Sequence, residues 1–154
     1  MSENLTLHLS RFVKTSRKRA FDAWTQPDAL MQWFAPGPMR PESARVDLRQ
    51  AGGFRLAMAG PSPRSGQEMN ITFTGTYQKI VQDELLSFSW EVEGDPGEPT
   101  LVTIEFKDAE GGTEIALTHE RIPNTDLLNR NRLGWGSLLE KLAKLCEVKA
   151  VHSA

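Results

Sequence analysis

The order of the alternating segments constrains the fold of this chain more than any other feature. One strand-like segment and two short helical segments precede six strand-like segments joined by short turns, and one long amphipathic helix closes the chain. Strands that follow one another through short turns pair as antiparallel hairpins, because a parallel connection needs a long crossover. The sequence therefore predicts an α+β domain and excludes a parallel α/β fold.

The first part of the predicted fold is a strand followed by two short helices. The segment "LTLHLS" alternates leucines with polar residues, which predicts a strand with one buried face. Ser16 fits the N-cap of a short helix that runs through Trp24. Pro27 opens a second short helix, "PDALMQWF", which Pro36 must end.

Glycine and proline mark two further boundaries. Gly52 and Gly53 predict a tight hairpin between "SARVDLRQ" and "FRLAMAG", because glycine tolerates backbone conformations that other residues resist. The closing helix is expected to start after Pro123, with Asn124 or Thr125 as its cap, and to run for about twenty residues. Its apolar stripe has a period close to 3.6 residues and comprises Leu128, Trp135, Leu138, Leu139, Leu142, Leu145 and Cys146.

The width of the sheet relative to the helix predicts a curved architecture. One helix about 10 Å wide cannot cover a flat sheet of this many strands. We therefore expect a curved six- to seven-stranded antiparallel sheet wrapped around the long C-terminal helix, with the two short helices after the first strand. Residues 1–154 are expected to form a single domain with its core over about residues 5–147, and this geometry leaves room for a cavity between sheet and helix.

The faces that point into this space are rich in aromatic residues and methionine. Methionine adapts to irregular contents, and an apolar space with a few polar tips is typical of a small-molecule pocket. Composition alone leaves open the alternative of a solid core in which the same rings simply pack. Leu56, Met69 and Val102 share these inward faces, and the candidate ligand-binding residues are Trp24, Trp33, Phe34, Phe54, Met58, Phe73, Tyr77, Phe88, Trp90, Ile104, Leu117, His119, Trp135 and Leu139.

Two glycines in the closing helix favour the pocket over the solid core. Gly134 and Gly136 flank Trp135 in "LGWGSLLEKL", and each costs about 1 kcal/mol relative to alanine in a helix interior. They are expected where the helix backbone approaches the sheet or a ligand closely, or where the helix bends.

His119 occupies the apolar face of the strand "EIALTHERIP", so its ring is expected to point inward. Catalysis would need a nucleophile within reach and an orienting carboxylate, yet the nearby acidic residues fall on outward faces. No metal site is expected, because His8 faces outward and His152 lies in the tail. We expect a buried or cavity-lining ring bonded to backbone, Tyr77 or a ligand, with acid/base catalysis as the alternative.

Charge and motif content exclude several functional classes. The net charge of -2 argues against a nucleic-acid partner. A membrane-spanning helix needs about 18 consecutive apolar residues, and no segment of the sequence approaches that length, so no membrane insertion is expected. No dinucleotide fingerprint or phosphate-binding loop occurs, so no cofactor is expected. The single Cys146 cannot form an internal disulfide and is expected to be buried, and we expect a cytoplasmic location.

Several motifs together resemble a known superfamily. They are "AFDAWTQPDALMQWFAP", "DLRQAGGFRLAM", "LLSFSWEV", "LVTIEF" followed by "GGTEIALTHERIP", and "GWGSLLEKLAKL". In their order and spacing they resemble the SRPBCC or START-like superfamily, the Bet v-type helix-grip fold. Within it they are similar to the branch related to the activator of the heat-shock-protein-90 ATPase. The resemblance extends from about Leu5 to Glu147 and implies a curved sheet that grips the C-terminal helix around a hydrophobic cavity.

The resemblance implies three functions of different classes. The first is binding of a hydrophobic or aromatic small molecule for sequestration, transport or resistance, without catalysis. The second is a cyclase- or hydrolase-like enzyme acting on a polyketide-like substrate, with His119 as the acid/base and Tyr77 assisting. The third is a module that contacts a chaperone partner. A homodimer fits any of the three, and fold alone does not choose among them.

Overall fold

Seven strands form one antiparallel sheet around a long helix, as predicted. The structure, a computed structural model, describes residues 4–62, 64–95 and 97–152, with side chains described as far as residue 147. The sheet order is β1-β7-β6-β5-β4-β3-β2, so β1 and β2 are its two edges. The elements are β1 (Leu5–Val13), α1 (Arg17–Thr25), α2 (Pro27–Leu30), β2 (Arg40–Val46), β3 (Gly53–Pro61), β4 (Glu68–Val81), β5 (Leu85–Val92), β6 (Thr100–Ala109), β7 (Gly112–Ile122) and α3 (Thr125–His152).

Irregularities of register accompany the curvature of the sheet. The β4–β5 pairing shifts by one residue between Tyr77 and Lys79, and the β2–β3 pairing shifts between Pro41 and Ser43. Such bulges bend a strand and increase its local twist. The concave face that results holds the core, and α3 lies across β1 and β7 on that side.

Side-chain caps start two of the helices where the sequence predicts them. The Ser16 hydroxyl accepts a hydrogen bond from the Arg19 N–H at 3.2 Å, and the Asn124 side chain accepts one from the Leu127 N–H at 2.8 Å. The closing helix is 28 residues long rather than about twenty. The prediction stopped with the apolar stripe, whereas "EVKAVH" continues the helix without it. Within the described residues, no helix combines the length and the apolar character needed to cross a membrane.

The turn between β2 and β3 differs from the predicted Gly-Gly hairpin. It spans residues 47–52, and the left-handed residue is Ala51, with φ of 67°, rather than either glycine. Gly52 is needed for space instead, since a Cβ there would collide with the Asp47 carbonyl oxygen. Backbone hydrogen bonds join this turn to Tyr77 on β4. The turn is therefore part of the sheet packing and is not a free loop.

The two glycines of α3 do not mark a close approach to the sheet, so that interpretation is wrong. A Cβ at Gly134 or Gly136 would meet no atom within 4 Å beyond the local helix backbone. Gly136 is exposed, and Gly134 is half-buried. The other two alternatives, a close approach to a ligand and a bend of the helix, stay predictions.

We expect Gly136→Ala to raise the free energy of unfolding by about 1 kcal/mol, because the methyl group enters open space and the unfolded chain loses freedom. Urea denaturation of the two proteins would measure the difference. A lower stability for the alanine variant would show that the helix needs glycine conformation at this point.

Candidate functional site

An aromatic cluster joins the short helices, the sheet and α3. Trp24 of α1 lies edge-on to Trp33, with ring centroids 4.9 Å apart. On the sheet, Phe73 stacks on Trp90 at 4.4 Å. Trp135 of α3 lies 4.9 Å from Trp90 and so connects the helix to the sheet. Ring pairs at these separations gain free energy beyond simple area burial, so the cluster fixes where the three layers meet.

A small cavity lies within this cluster. Its volume is about 20 Å³, enough for about one water molecule. The ligand-sized space that the sequence suggests is therefore not open in this conformation, and it stays a prediction. The lining side chains carry no formal charge and are Trp24, Leu30, Phe34, Val46, Phe54, Leu56, Tyr77, Phe88 and Trp90.

An open groove borders the same wall from another side. It has a volume of about 360 Å³ and is lined by residues of the β2–β3 hairpin and by Gly75 of β4. Val46 and Phe54 line both the groove and the cavity. Movement of these two side chains would connect the cavity with solvent.

The Phe54 ring fits into this wall because its partner on the neighbouring strand is a glycine. It pairs across the strands with Gly75, and its ring occupies the space that a Cβ of Gly75 would take. The same Cβ would also collide with the Ser89 carbonyl oxygen of β5. The glycine therefore lets the Phe54 ring lie flat on β4 and reach the cavity.

Part of the concave apolar face is not fully covered. Ile71 and Phe73 pair with the buried residues Met58 and Leu56, which places them on the same face, yet both are only half-buried. Met69 continues this face and is half-buried too. Because α3 lies over β1 and β7, it leaves the first half of β4 partly exposed. An apolar surface thus continues from the cavity wall toward solvent.

Two polar side chains of α3 hold the loop between α2 and β2. The Ser137 hydroxyl accepts a hydrogen bond from the Gly37 N–H at 2.7 Å. The Lys141 ammonium donates to the carbonyl oxygens of Ala35 and Met39, and partial burial lowers its pKa. Phe34 lies in this loop, so α3 positions one wall of the cavity.

His119 is the centre of a closed hydrogen-bond chain. The Trp135 indole N–H donates to Nδ1 of His119 at 3.0 Å. Because an indole nitrogen is a donor only, Nδ1 is the acceptor and the ring proton lies on Nε2. Nε2–H then donates to the Thr100 hydroxyl at 2.7 Å, and that hydroxyl donates to the Trp90 carbonyl at 3.2 Å. Every polar atom of the ring has a partner.

This arrangement favours a structural imidazole over a catalytic one. Burial lowers the pKa of His119 to about 4. Protonation of Nδ1 would also place a second N–H against the Trp135 donor. This contact between two donors disfavours the charged ring, as burial does. The partners are Thr100 and Trp135 rather than backbone or Tyr77. Thr100 could have been found, because it continues the inward parity of Val102 on β6.

We expect Thr100→Val to lower the free energy of unfolding by about 1–3 kcal/mol, because it leaves the buried His119 Nε2–H without an acceptor. Chemical denaturation would measure the loss, with Thr100→Ser as a control that keeps the hydroxyl. A valine variant as stable as the parent would contradict the hydrogen-bond chain.

Comparison with protein families now adds to this geometry. The sequence profile described as "Activator of Hsp90 ATPase homolog 1-like protein" matches residues 14–147. The chain belongs to this family. The resemblance read from the sequence motifs is thereby confirmed. Comparison with curated proteins finds no match.

Solved structures of similar proteins share the fold. An AHSA1 protein from Silicibacter pomeroyi superposes with a TM-score of 0.80 at 19% identity, covering 94% of this chain and 99% of that one. A protein from Chromobacterium violaceum gives 0.79 at 24% identity, covering 92% and 96%. The AHSA1-like protein from Aeromonas hydrophila gives 0.75 at 21% identity, covering 95% and 94%. At these identities the likeness shows the fold alone.

Within this family fold, the candidate residues divide into cavity wall and core. Two further residues line the cavity, Leu30 and Val46. They were not among the candidates predicted from the sequence, because α2 and the edge strand β2 give too short an apolar pattern. Six candidates line the cavity: Trp24, Phe34, Phe54, Tyr77, Phe88 and Trp90. The half-buried Phe73 packs against the core, and the remaining seven candidates are buried in it: Trp33, Met58, Ile104, Leu117, His119, Trp135 and Leu139.

Proposed function

We propose that this chain binds a small hydrophobic or aromatic molecule in the cavity between strands β2–β5 and the segment formed by α1, α2 and the loop after α2, rather than between the sheet and α3 as the sequence suggests. The observation that carries the proposal is the uncharged, largely aromatic cavity wall, two of whose members also border an open groove. Binding sites for such ligands are concave and mostly apolar, with few polar groups. The function is sequestration or carriage of the ligand rather than its conversion.

Entry requires the cavity to expand from its closed volume. Val46 is half-buried and Phe54 belongs to the wall shared with the groove, so displacement of these two side chains admits a ligand. The ligand must replace the ring contacts that the buried Phe54 gives up. The half-buried residues Ile71 and Phe73 extend the apolar contact surface beyond the cavity. A ligand that replaces solvent on these surfaces gains about 25 cal/mol for each Å² of apolar area it covers.

Catalysis is not part of the proposal, because the two nitrogens of His119 are occupied by Trp135 and Thr100. Proton transfer to a ligand would first break one of these bonds. A chaperone partner stays a prediction, and no contact within the described residues favours it over ligand binding.

Titration with N-phenyl-1-naphthylamine, a neutral fluorescent probe, tests the proposal. We expect saturable fluorescence enhancement with one probe per chain. Leu56→Phe extends a side chain into the small cavity and should weaken binding by about tenfold or more. Leu145→Phe makes the same change on the half-buried side of α3 outside the cavity and should leave binding unchanged. No saturable binding to the parent, or equal binding by Leu56→Phe, would overturn the proposal.

A further inference from the structure

The indole N–H of Trp24 has no hydrogen-bond partner. It is the one buried side-chain nitrogen or oxygen without a partner in the part of the chain that the structure describes. Trp24 is 5% exposed and lines the cavity. The other indoles of the cluster differ, since the Trp33 N–H donates to the Ala23 carbonyl and the Trp135 N–H donates to His119, each at 3.0 Å.

A buried donor without an acceptor destabilises the folded chain. Most such groups in native proteins are satisfied, and each exception needs its own explanation. A water molecule is a poor partner here, because it needs two to four polar neighbours and the cavity wall is largely apolar. An acceptor atom on a bound ligand would satisfy the donor without requiring other polar partners.

The rest of the wall limits the charge that such a ligand can carry. No lining side chain bears a formal charge at neutral pH. Tyr77 keeps its phenolic proton, because burial raises the pKa of that group. A carboxylate or ammonium group would therefore lose its hydration with no opposite charge to replace it.

We propose that the ligand is an uncharged, planar aromatic molecule bearing a hydrogen-bond-accepting oxygen, which binds the N–H of Trp24. This inference rests on the proposed function and specifies the chemistry of its ligand. The rings of Trp24, Phe54 and Phe88 contact the aromatic part, and the Trp24 donor selects the oxygen. An aryl ketone or aryl ether has this chemistry, whereas a fatty acid anion does not.

A matched pair of probes tests the inference. 2-Acetylnaphthalene carries a carbonyl acceptor, and 2-isopropylnaphthalene has nearly the same shape without one. Competition against N-phenyl-1-naphthylamine measures both affinities. We expect the parent chain to prefer the ketone by about fivefold, the range of one net hydrogen bond. Trp24→Phe keeps a ring at this position and removes the N–H, so it should bind the two probes equally.

Stability measurements separate the donor's role from packing. Without ligand, Trp24→Phe should lose less stability than Trp33→Phe. Both substitutions remove ring volume from the core, but only Trp24→Phe also removes an unsatisfied donor. Trp33→Phe is the matched control. It should unfold at a lower urea concentration, because it leaves the Ala23 carbonyl without its donor, and it should keep the fivefold ketone preference.

The outcomes distinguish this inference from the proposed function. Equal affinity of the parent for both probes, or tighter binding of 2-naphthoate than of the ketone, overturns the inference and leaves ligand binding standing. A ketone preference that survives in Trp24→Phe overturns the inference as well. Failure of both neutral probes to displace N-phenyl-1-naphthylamine, or of that probe to bind at all, overturns the proposed function.

Discussion

Gly75→Ala should lower the free energy of unfolding by about 3 kcal/mol, at the upper end of overpacking changes. A Cβ at this position would collide with the Ser89 carbonyl oxygen and with the Phe54 ring. The ring can move, but the carbonyl belongs to the paired strand β5 and cannot move without disturbing the sheet. Urea denaturation monitored by far-UV circular dichroism would measure the loss.

Gly136→Ala supplies the control for this change, since the same added methyl meets open space and should stabilise the chain. A second variant separates the two collisions. Gly75→Ala combined with Phe54→Leu relieves the contact with the ring and leaves the contact with the carbonyl, so it should recover only part of the stability. A Gly75→Ala protein as stable as the parent would contradict the packing of Phe54 over β4.

Acid should destabilise the chain through His119. Its pKa is about 4 in the folded state, against an ordinary value of 6.5, because burial disfavours the charged ring. The unfolded chain therefore binds the proton more tightly, and stability is lost as the pH falls from about 6.5 to about 4. The difference corresponds to about 3 kcal/mol, measurable as the change in unfolding free energy between pH 7 and pH 4.

His119→Gln isolates this contribution. Glutamine can accept from Trp135 and donate to Thr100, and it does not titrate. The parent should therefore lose about 3 kcal/mol more than the variant over this pH window. The hydrogen bond from Arg55 lowers the pKa of Glu93, so the stability that this pair contributes is lost as the pH falls below the ordinary pKa of a glutamate side chain. The parent and the variant share this loss, so it cancels in the difference between them. Parallel pH profiles for parent and variant would contradict a buried neutral ring.

The same variant separates binding from catalysis. If His119 positions Trp135 and Thr100 but transfers no proton, His119→Gln should bind N-phenyl-1-naphthylamine with an affinity within about threefold of the parent's. A catalytic ring would instead show a loss of turnover of about a hundredfold or more on any substrate found.

The architecture could be predicted from the sequence because strand alternation and turn spacing are local signals. Alternation placed His119 on the buried face, and one helix beneath many strands required the sheet to curve. The hydrogen bond from Trp135 to His119 could not be predicted, because that contact depends on how α3 crosses β1 and β7.

The size of the cavity also lay beyond the sequence. Interiors pack at crystal-like density, and whether rings interlock or leave space depends on rotamers and register. Phe54 reaches the cavity because Gly75 lies beneath it, a pairing fixed by the β3–β4 register. Gly134 and Gly136 were misjudged for a related reason, since their helix propensity is local and the space around them is not.

Native mass spectrometry of the gently purified protein tests the central claim most directly. We predict an added mass that is lost on denaturation and is absent from Leu56→Phe purified in the same way. A sample without cellular ligand should gain the mass of N-phenyl-1-naphthylamine on incubation with that probe, and the variant should not. The bare chain mass for the parent both before and after incubation would contradict a ligand-binding cavity.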